Sequence, residues 1–300
     1  MFDYSDPRSK LGVKGTKVKF LDPVQNIYFD DEQSDFLPKG SKSWWSRGAN
    51  YFMNFVDAKN GEVLYRAEQQ DEYILILFDS DTEVIVTGQD QKKVVGGYHI
   101  AIIPSGESKI EISKGGKILL LYTSLNEDLA DYPINKDVYA ERNQALPSFI
   151  PRPESPYGSK IRVYNIDVPP EEGRFGRIFT CSTFMLSFLH PWQGPRDPKT
   201  LSPHLHEDFE QTSFLMKGIF VHHFRWPWGI DRLKWRTDQH DLCSSPTVTL
   251  IPPGVIHTSE AVGDETNEIL DIFCPPRADF AEQEGWVLNE KDYPYKHAEI

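Results

Sequence analysis

Cysteine is scarce in this chain of 300 residues. The three present, Cys181, Cys243 and Cys274, are odd in number and scattered, which argues against the disulfide framework of a small secreted domain. Basic charge is in deficit: 32 Lys and Arg stand against 45 Asp and Glu, a formal net charge of −13. A protein that tracks phosphate backbones or anionic lipid needs a basic face, so neither nucleic acid nor membrane is expected as a partner. No apolar run approaches the about 18 residues of a membrane-spanning helix. The opening stretch MFDYSDPRSKLG has no apolar segment of the signal-peptide kind, and no Asn-x-Ser/Thr site occurs. A cytoplasmic protein is the expectation. Aromatic residues, by contrast, are plentiful: 18 Phe, 13 Tyr and 7 Trp supply ample material for a core. The length suits one large all-β unit or two ordinary domains.

Helical periodicity is rare along the chain, and short runs of β-branched and aromatic residues dominate. Residues 73–78, 83–87, 99–103 and 118–122 form one such series, separated by polar turn signals such as Asp79-Ser80-Asp81 and Gly96-Gly97. A second series follows at 162–168, 178–189, 209–216, 219–224, 247–251 and 268–273. Between them, residues 126–142 read as one or two helices, and Pro147, Pro151, Pro153 and Pro156 make the rest a linker. The expected organisation is all-β, with an N-terminal domain at 1–150 and a C-terminal one at 151–300. Ser113-Lys114-Gly115-Gly116-Lys117 joins two strands and is read as a hairpin turn, not a phosphate loop.

The second series carries the chemistry. His204-Leu205-His206 is followed by Glu210, and Pro252-Pro253-Gly254-Val255-Ile256-His257 comes later. Three imidazoles with one carboxylate suit Mn, Fe, Co, Ni or Zn better than Ca or Mg. In an extended strand alternate side chains share a face, so His204 and His206 point together and Glu210 rejoins them if the strand continues. Gln211 would then face the other way. One divalent transition metal per chain, held by His204, His206, Glu210 and His257, is expected. His222, His223, Arg225 and His240, on or near the strands between the motifs, are the candidate catalytic residues. Alternation lets only one of His222 and His223 face inward. Trp226, Trp228 and Trp235 are candidates for the rim of the site.

The two halves repeat one another. Ile103-Pro104-Ser105-Gly106 matches Ile251-Pro252-Pro253-Gly254, and Arg66-x-Glu68-x₃-Glu72 has the spacing of His204-x-His206-x₃-Glu210. Setting Pro104 against Pro252 places Lys109 opposite His257. Arg66, Glu68, Glu72 and Lys109 are therefore expected to cluster in the first half as a charge-balanced group without metal.

His204-x-His206-x₃-Glu210 with Gly218 beyond it, and then Pro252-x-Gly254-x₂-His257, resemble the two signature motifs of the cupin superfamily. The duplication makes the chain similar to a two-domain bicupin. The resemblance implies two jelly-roll β-barrels in tandem, with one metal inside the second barrel on the four residues named. Two features depart from the pattern: the stretch between the motifs is lengthened by Trp226–Trp235, and no Asn follows His257.

A four-ligand centre of octahedral geometry leaves two positions for substrate. A redox-inert metal there polarises a carbonyl, acidifies the adjacent C–H and stabilises an enediolate, which is isomerase, epimerase or lyase chemistry. A silent first barrel with a metal site in the second also resembles the uronate isomerases. The expected activity is thus a metal-dependent isomerase or lyase acting on a small sugar-acid-like or keto-hydroxy substrate. An Fe(II) dioxygenase of a phenolic or diketone substrate and a non-catalytic binder of metal or small ligands are the alternatives. A homodimer is the expected assembly.

Overall fold

The computed structural model describes residues 23–141, 146, 148–229 and 231–295. The opening stretch MFDYSDPRSKLG, and Arg142 and Pro147 of the expected linker, lie outside them. The described residues are almost entirely β-strand in antiparallel pairs, which is the expected fold class. None of their helices is long and apolar enough to cross a membrane.

Two compact units result, each drawn from separate stretches of chain. The larger comprises Phe29–Arg142, Ser148–His190 and Leu270–Ile300. Its seven-stranded sheet runs in the order Arg162–Asn165, His99–Ile103, Tyr73–Leu77, Gly116–Thr123, Tyr51–Ala58, Lys42–Arg47 and Asp35–Phe36. A four-stranded sheet, Val63–Gln69, Gly106–Lys114, Glu83–Gly88 and Gln91–Gly96, packs on it through one apolar core. Tyr73–Leu77 is buried on both faces and therefore reads as a continuous apolar run. Glu83–Gly88 alternates between buried and half-buried residues, as a strand with one solvated face should.

The smaller unit comprises Met1–Tyr28, Asn143–Pro147 and Pro191–Ile269. One sheet orders Gln25–Tyr28, Thr247–Ile251, Gln211–Lys217 and the first half of Thr266–Phe273. The other orders Gln239–Ser244, Ile219–Arg225 and Ile256–Ala261. Gly218 turns the chain between strands at φ +83°, where a β-carbon would meet the Asn267 amide oxygen at 2.2 Å. Glycine is thus required twice over, for backbone conformation and for space.

Local structure departs from the sequence reading in two places. The expected helices within 126–142 are only short 3₁₀ turns, Glu127–Leu129 and Lys136–Tyr139, because Pro133 interrupts them and neither offers an apolar face long enough to bury. The run 178–189 is two strands, Arg177–Thr180 and Met185–Phe188, folded against each other with Thr180 opposite Met185.

Candidate metal centre

The two histidine motifs meet through their backbones. The His204 N–H donates to the His257 carbonyl at 3.0 Å and the His257 N–H to the His204 carbonyl at 2.8 Å. The Gly254 N–H donates to the His206 carbonyl at 2.6 Å. The Pro252-Pro253-Gly254 turn therefore docks the distant histidine directly onto the first motif. As a consequence His204, His206 and His257 each offer a ligand nitrogen within 4.8 Å of the other two, a group able to hold a metal ion.

Hydrogen bonds select which nitrogen each ring presents. The Nδ1–H of His204 donates to the Ser202 carbonyl at 2.8 Å, and that of His257 to the Val255 carbonyl at 2.9 Å. Both rings are thereby held in the tautomer that keeps a lone pair on Nε2, the arrangement a ligating histidine requires. Three imidazole nitrogens are a donor set that fits a first-row transition metal.

Glu210, expected as the fourth ligand, falls outside this group. The strand does not continue through the motif: the chain bends at Glu207 and Asp208, and regular pairing starts only at Gln211. The bend shifts the alternation by one. Gln211 accordingly faces the histidines, with its Oε1 3.0 Å from His206 Nε2, while its amide nitrogen donates to Ser213 Oγ at 3.2 Å. Sequence reasoning set Gln211 aside; the signal against continuity was the pair of adjacent acidic residues, poor strand formers, directly after His206.

Of the four candidate catalytic residues, one reaches the interior. His222 is fully buried and lies across from Ser259, diagonal to His257. Its Nδ1 is 2.8 Å from Ser259 Oγ, and its buried Nε2 has no hydrogen-bond partner among the described residues. Burial foremost, then the neighbouring His257 and His223, pushes its pKa down to about 3, so the ring is neutral. The other three stand on the outer face of the same sheet. His223 contacts His240 at 2.7 Å and Glu260 at 3.0 Å, and Arg225 pairs with Asp238. Trp226 is buried in a cluster with Phe224, Ile251 and Val255. Trp228 and Trp235 stack on each other at 4.4 Å and are exposed.

No protein-family model and no curated protein sequence matches the chain. Solved structures do. An oxalate decarboxylase from Lactobacillus farciminis, in a formate complex, aligns over 86% of this chain and 87% of its own at TM-score 0.56 and 14% identity. The Bacillus subtilis oxalate decarboxylase at pH 4.6 aligns over 86% and 80% at TM-score 0.57 and 17% identity. A further structure of that protein, described for its Mn(II) centres, aligns over 83% and 76% at TM-score 0.56 and 17% identity. The chain shares the fold of these oxalate decarboxylases.

Within that fold the first-half residues depart from the expected arrangement. Arg66, Glu68, Glu72 and Lys109 share no partner. Arg66 donates to Asp128 at 2.6 and 3.1 Å, to Gln69 at 3.0 Å and to Asn126 at 3.2 Å. Glu68 is exposed. Glu72 is buried and accepts from Tyr293 Oη at 2.7 Å and from the Ser182 hydroxyl at 2.6 Å. Lys109 lies at the surface beside Glu111 at 3.3 Å. The register explains the difference. Arg66 pairs with Ser108 where His204 pairs with His257, and the pairing slips between Gly106 and Ser108. Ser108, not Lys109, is the spatial counterpart of His257. Tyr73, which begins its strand as Gln211 does, hydrogen-bonds Ser108 at 2.9 Å.

Proposed function

We propose that the protein is a metal-dependent lyase or isomerase of cupin type. Its metal would sit on His204, His206 and His257, and its substrate would be a small carboxylate or keto-hydroxy acid. The observation that carries this reading is the convergence of three imidazoles within 4.8 Å, two of them locked by backbone carbonyls to present Nε2. The fold shared with oxalate decarboxylases favours the lyase among the chemistries such a centre supports. A bound divalent metal supplies Lewis acidity, polarising an oxygen of the substrate. The chain's own contribution is position and exclusion of water. Phe220, His222 and Phe224, all buried, line one inner face of the sheet that carries His257, so a substrate near the metal is shielded from water on that side while His204 stays exposed. His222 offers a neutral ring nitrogen on that face, suited to accept a hydrogen bond from bound substrate without adding charge.

Elemental analysis of the purified protein tests the centre. About one transition-metal ion per chain is expected, lost in His206→Ala and His257→Ala while circular dichroism stays native. Turnover of a panel of small carboxylates, with oxalate first, should proceed without net oxygen uptake. Retention of full metal content by both variants would remove the site. Stoichiometric oxygen consumption would replace the lyase with a dioxygenase.

A further inference from the structure

We infer that His223 and His240 form a second transition-metal site, on the outer face of the sheet that carries His257, with Glu260 as its supporting carboxylate. The site stands apart from the three-histidine centre and does not rest on it. Each of the three strands of that sheet supplies one residue. His223 lies directly opposite His240 across one pair of strands; across the other, Glu260 lies opposite Val221 and so diagonal to His223. Side chains directly opposite in an antiparallel pair have β-carbons about 5 Å apart, so two imidazoles on one face are brought together. Phe224, the next residue along, is paired with His257 and buried, which turns His223 away from the interior.

The hydrogen positions on the rings follow from their partners. An ionised carboxylate only accepts, so the 3.0 Å contact between His223 Nε2 and Glu260 Oε2 puts a hydrogen on Nε2. In the neutral form of that ring, the one a metal requires, Nδ1 keeps its lone pair. That lone pair faces Nδ1 of His240 at 2.7 Å. One position between the rings therefore serves two nitrogens. It holds either a proton shared by both or a metal ion bound to both. Carboxylate, histidine and metal in series is the arrangement that fixes a ligating ring and raises its basicity.

Little has to move for the metal to enter. Two nitrogens each about 2.05 Å from a tetrahedral ion stand about 3.3 Å apart, so the rings part by about 0.6 Å. His240 is exposed, on a strand at the edge of its sheet, and its ring can swing outward by that much. Charge favours a cation. Arg225, on the same face as His223, is taken up by Asp238, which leaves the Glu260 carboxylate as the charge beside the rings. Two imidazoles with the remaining coordination positions open to solvent select late divalent metals, Cu(II) tightest and Zn(II) after it, over Mg(II) and Ca(II). A metal held here stays open to exchange with small ligands from solution.

The test is calorimetric titration of the metal-stripped full-length protein with Zn(II), in the parent, His223→Ala, His240→Ala, Glu260→Gln and His206→Ala, with circular dichroism as the check on folding. The parent should take up two ions. One should disappear in His223→Ala and in His240→Ala, the other in His206→Ala. Glu260→Gln should keep both, one of them bound at least about tenfold more weakly. Cu(II) bound to His206→Ala should show spin-resonance splitting from two ring nitrogens. If His223→Ala loses its native dichroism, His240→Ala, altered only at an exposed position, decides. The same number of ions in the parent and in the folded histidine variants would overturn the inference and leave the rings sharing a proton only. A Cu(II) signal without two nitrogens would overturn it as well. A parent that binds one ion, lost in His240→Ala but kept in His206→Ala, would support the outer site and overturn the inner centre instead.

Discussion

Arg66 and Lys109 show how far one residue's surroundings decide its worth. Lys109 is half-exposed and pairs only with Glu111 on its own strand. Lys109→Ala should therefore shift stability by less than about 0.5 kcal/mol. Arg66 is partly buried, pairs with Asp128 through two nitrogens and lies over the Tyr122 ring at 5.4 Å. Arg66→Ala should cost about 1–2 kcal/mol in urea denaturation, a figure discounted because Asp128 is largely exposed. The pair also carries a pH signature. The hydrogen bond from Arg66 holds the Asp128 carboxyl below its ordinary range. A depressed pKa in the folded state means the contribution is complete above the ordinary carboxylate range and is lost as pH falls through the folded value. The stability gap between the parent and Asp128→Asn should accordingly be widest near neutrality and close in strong acid. A gap independent of pH would count against the pairing.

Among the elements, the turn between Glu83–Gly88 and Gln91–Gly96 is the most open to adjustment. Gln89 and Asp90 both adopt positive φ, +50° and +55°, as a two-residue hairpin of this twist demands. Neither residue favours that conformation as glycine does. Asp90→Gly should raise stability by about 0.5 kcal/mol, read as a higher urea midpoint at unchanged slope. Strands with strong composition were legible in the sequence: His99–Ile103 and Thr247–Ile251 have the limits their apolar runs imply. Val63–Gln69 was not, because it is largely exposed and carries Arg66 and Glu68 where a core strand would be apolar. The candidate site was half legible for a related reason. His204, His206 and His257 announce themselves by residue type, but choosing between Glu210 and Gln211 depends on where the backbone bends. A bend at Glu207-Asp208 leaves only a faint trace in side-chain chemistry.

At the scale of the molecule, both compact units borrow strands that are remote in sequence, and no local pattern reports that. Gln25–Tyr28 completes a sheet of the unit that holds the histidines, pairing with Thr247–Ile251. Asn26 fixes it there, donating to Asp241 at 2.6 Å and accepting from Thr249 Oγ1 at 2.8 Å. Asn26→Ala leaves both partners short of a bond and should cost about 2–3 kcal/mol. Amide hydrogen exchange should rise first along Thr247–Ile251; unchanged protection there would mean the strand is held by other contacts. The paired turn motifs, by contrast, were visible in the sequence, although the register of the strands that follow them was not. The turn proline reaches its cross-strand partner one residue sooner in the first repeat, at Ser108, than in the second, at His257. That single-residue offset matters to anyone wishing to engineer a second centre into the first half of the chain. Histidines copied across by aligning the letters would leave the third one on the outer surface at Lys109. A graft laid out in space would use Arg66, Glu68 and Ser108, with Tyr73 standing at the start of its strand as Gln211 does in the second half.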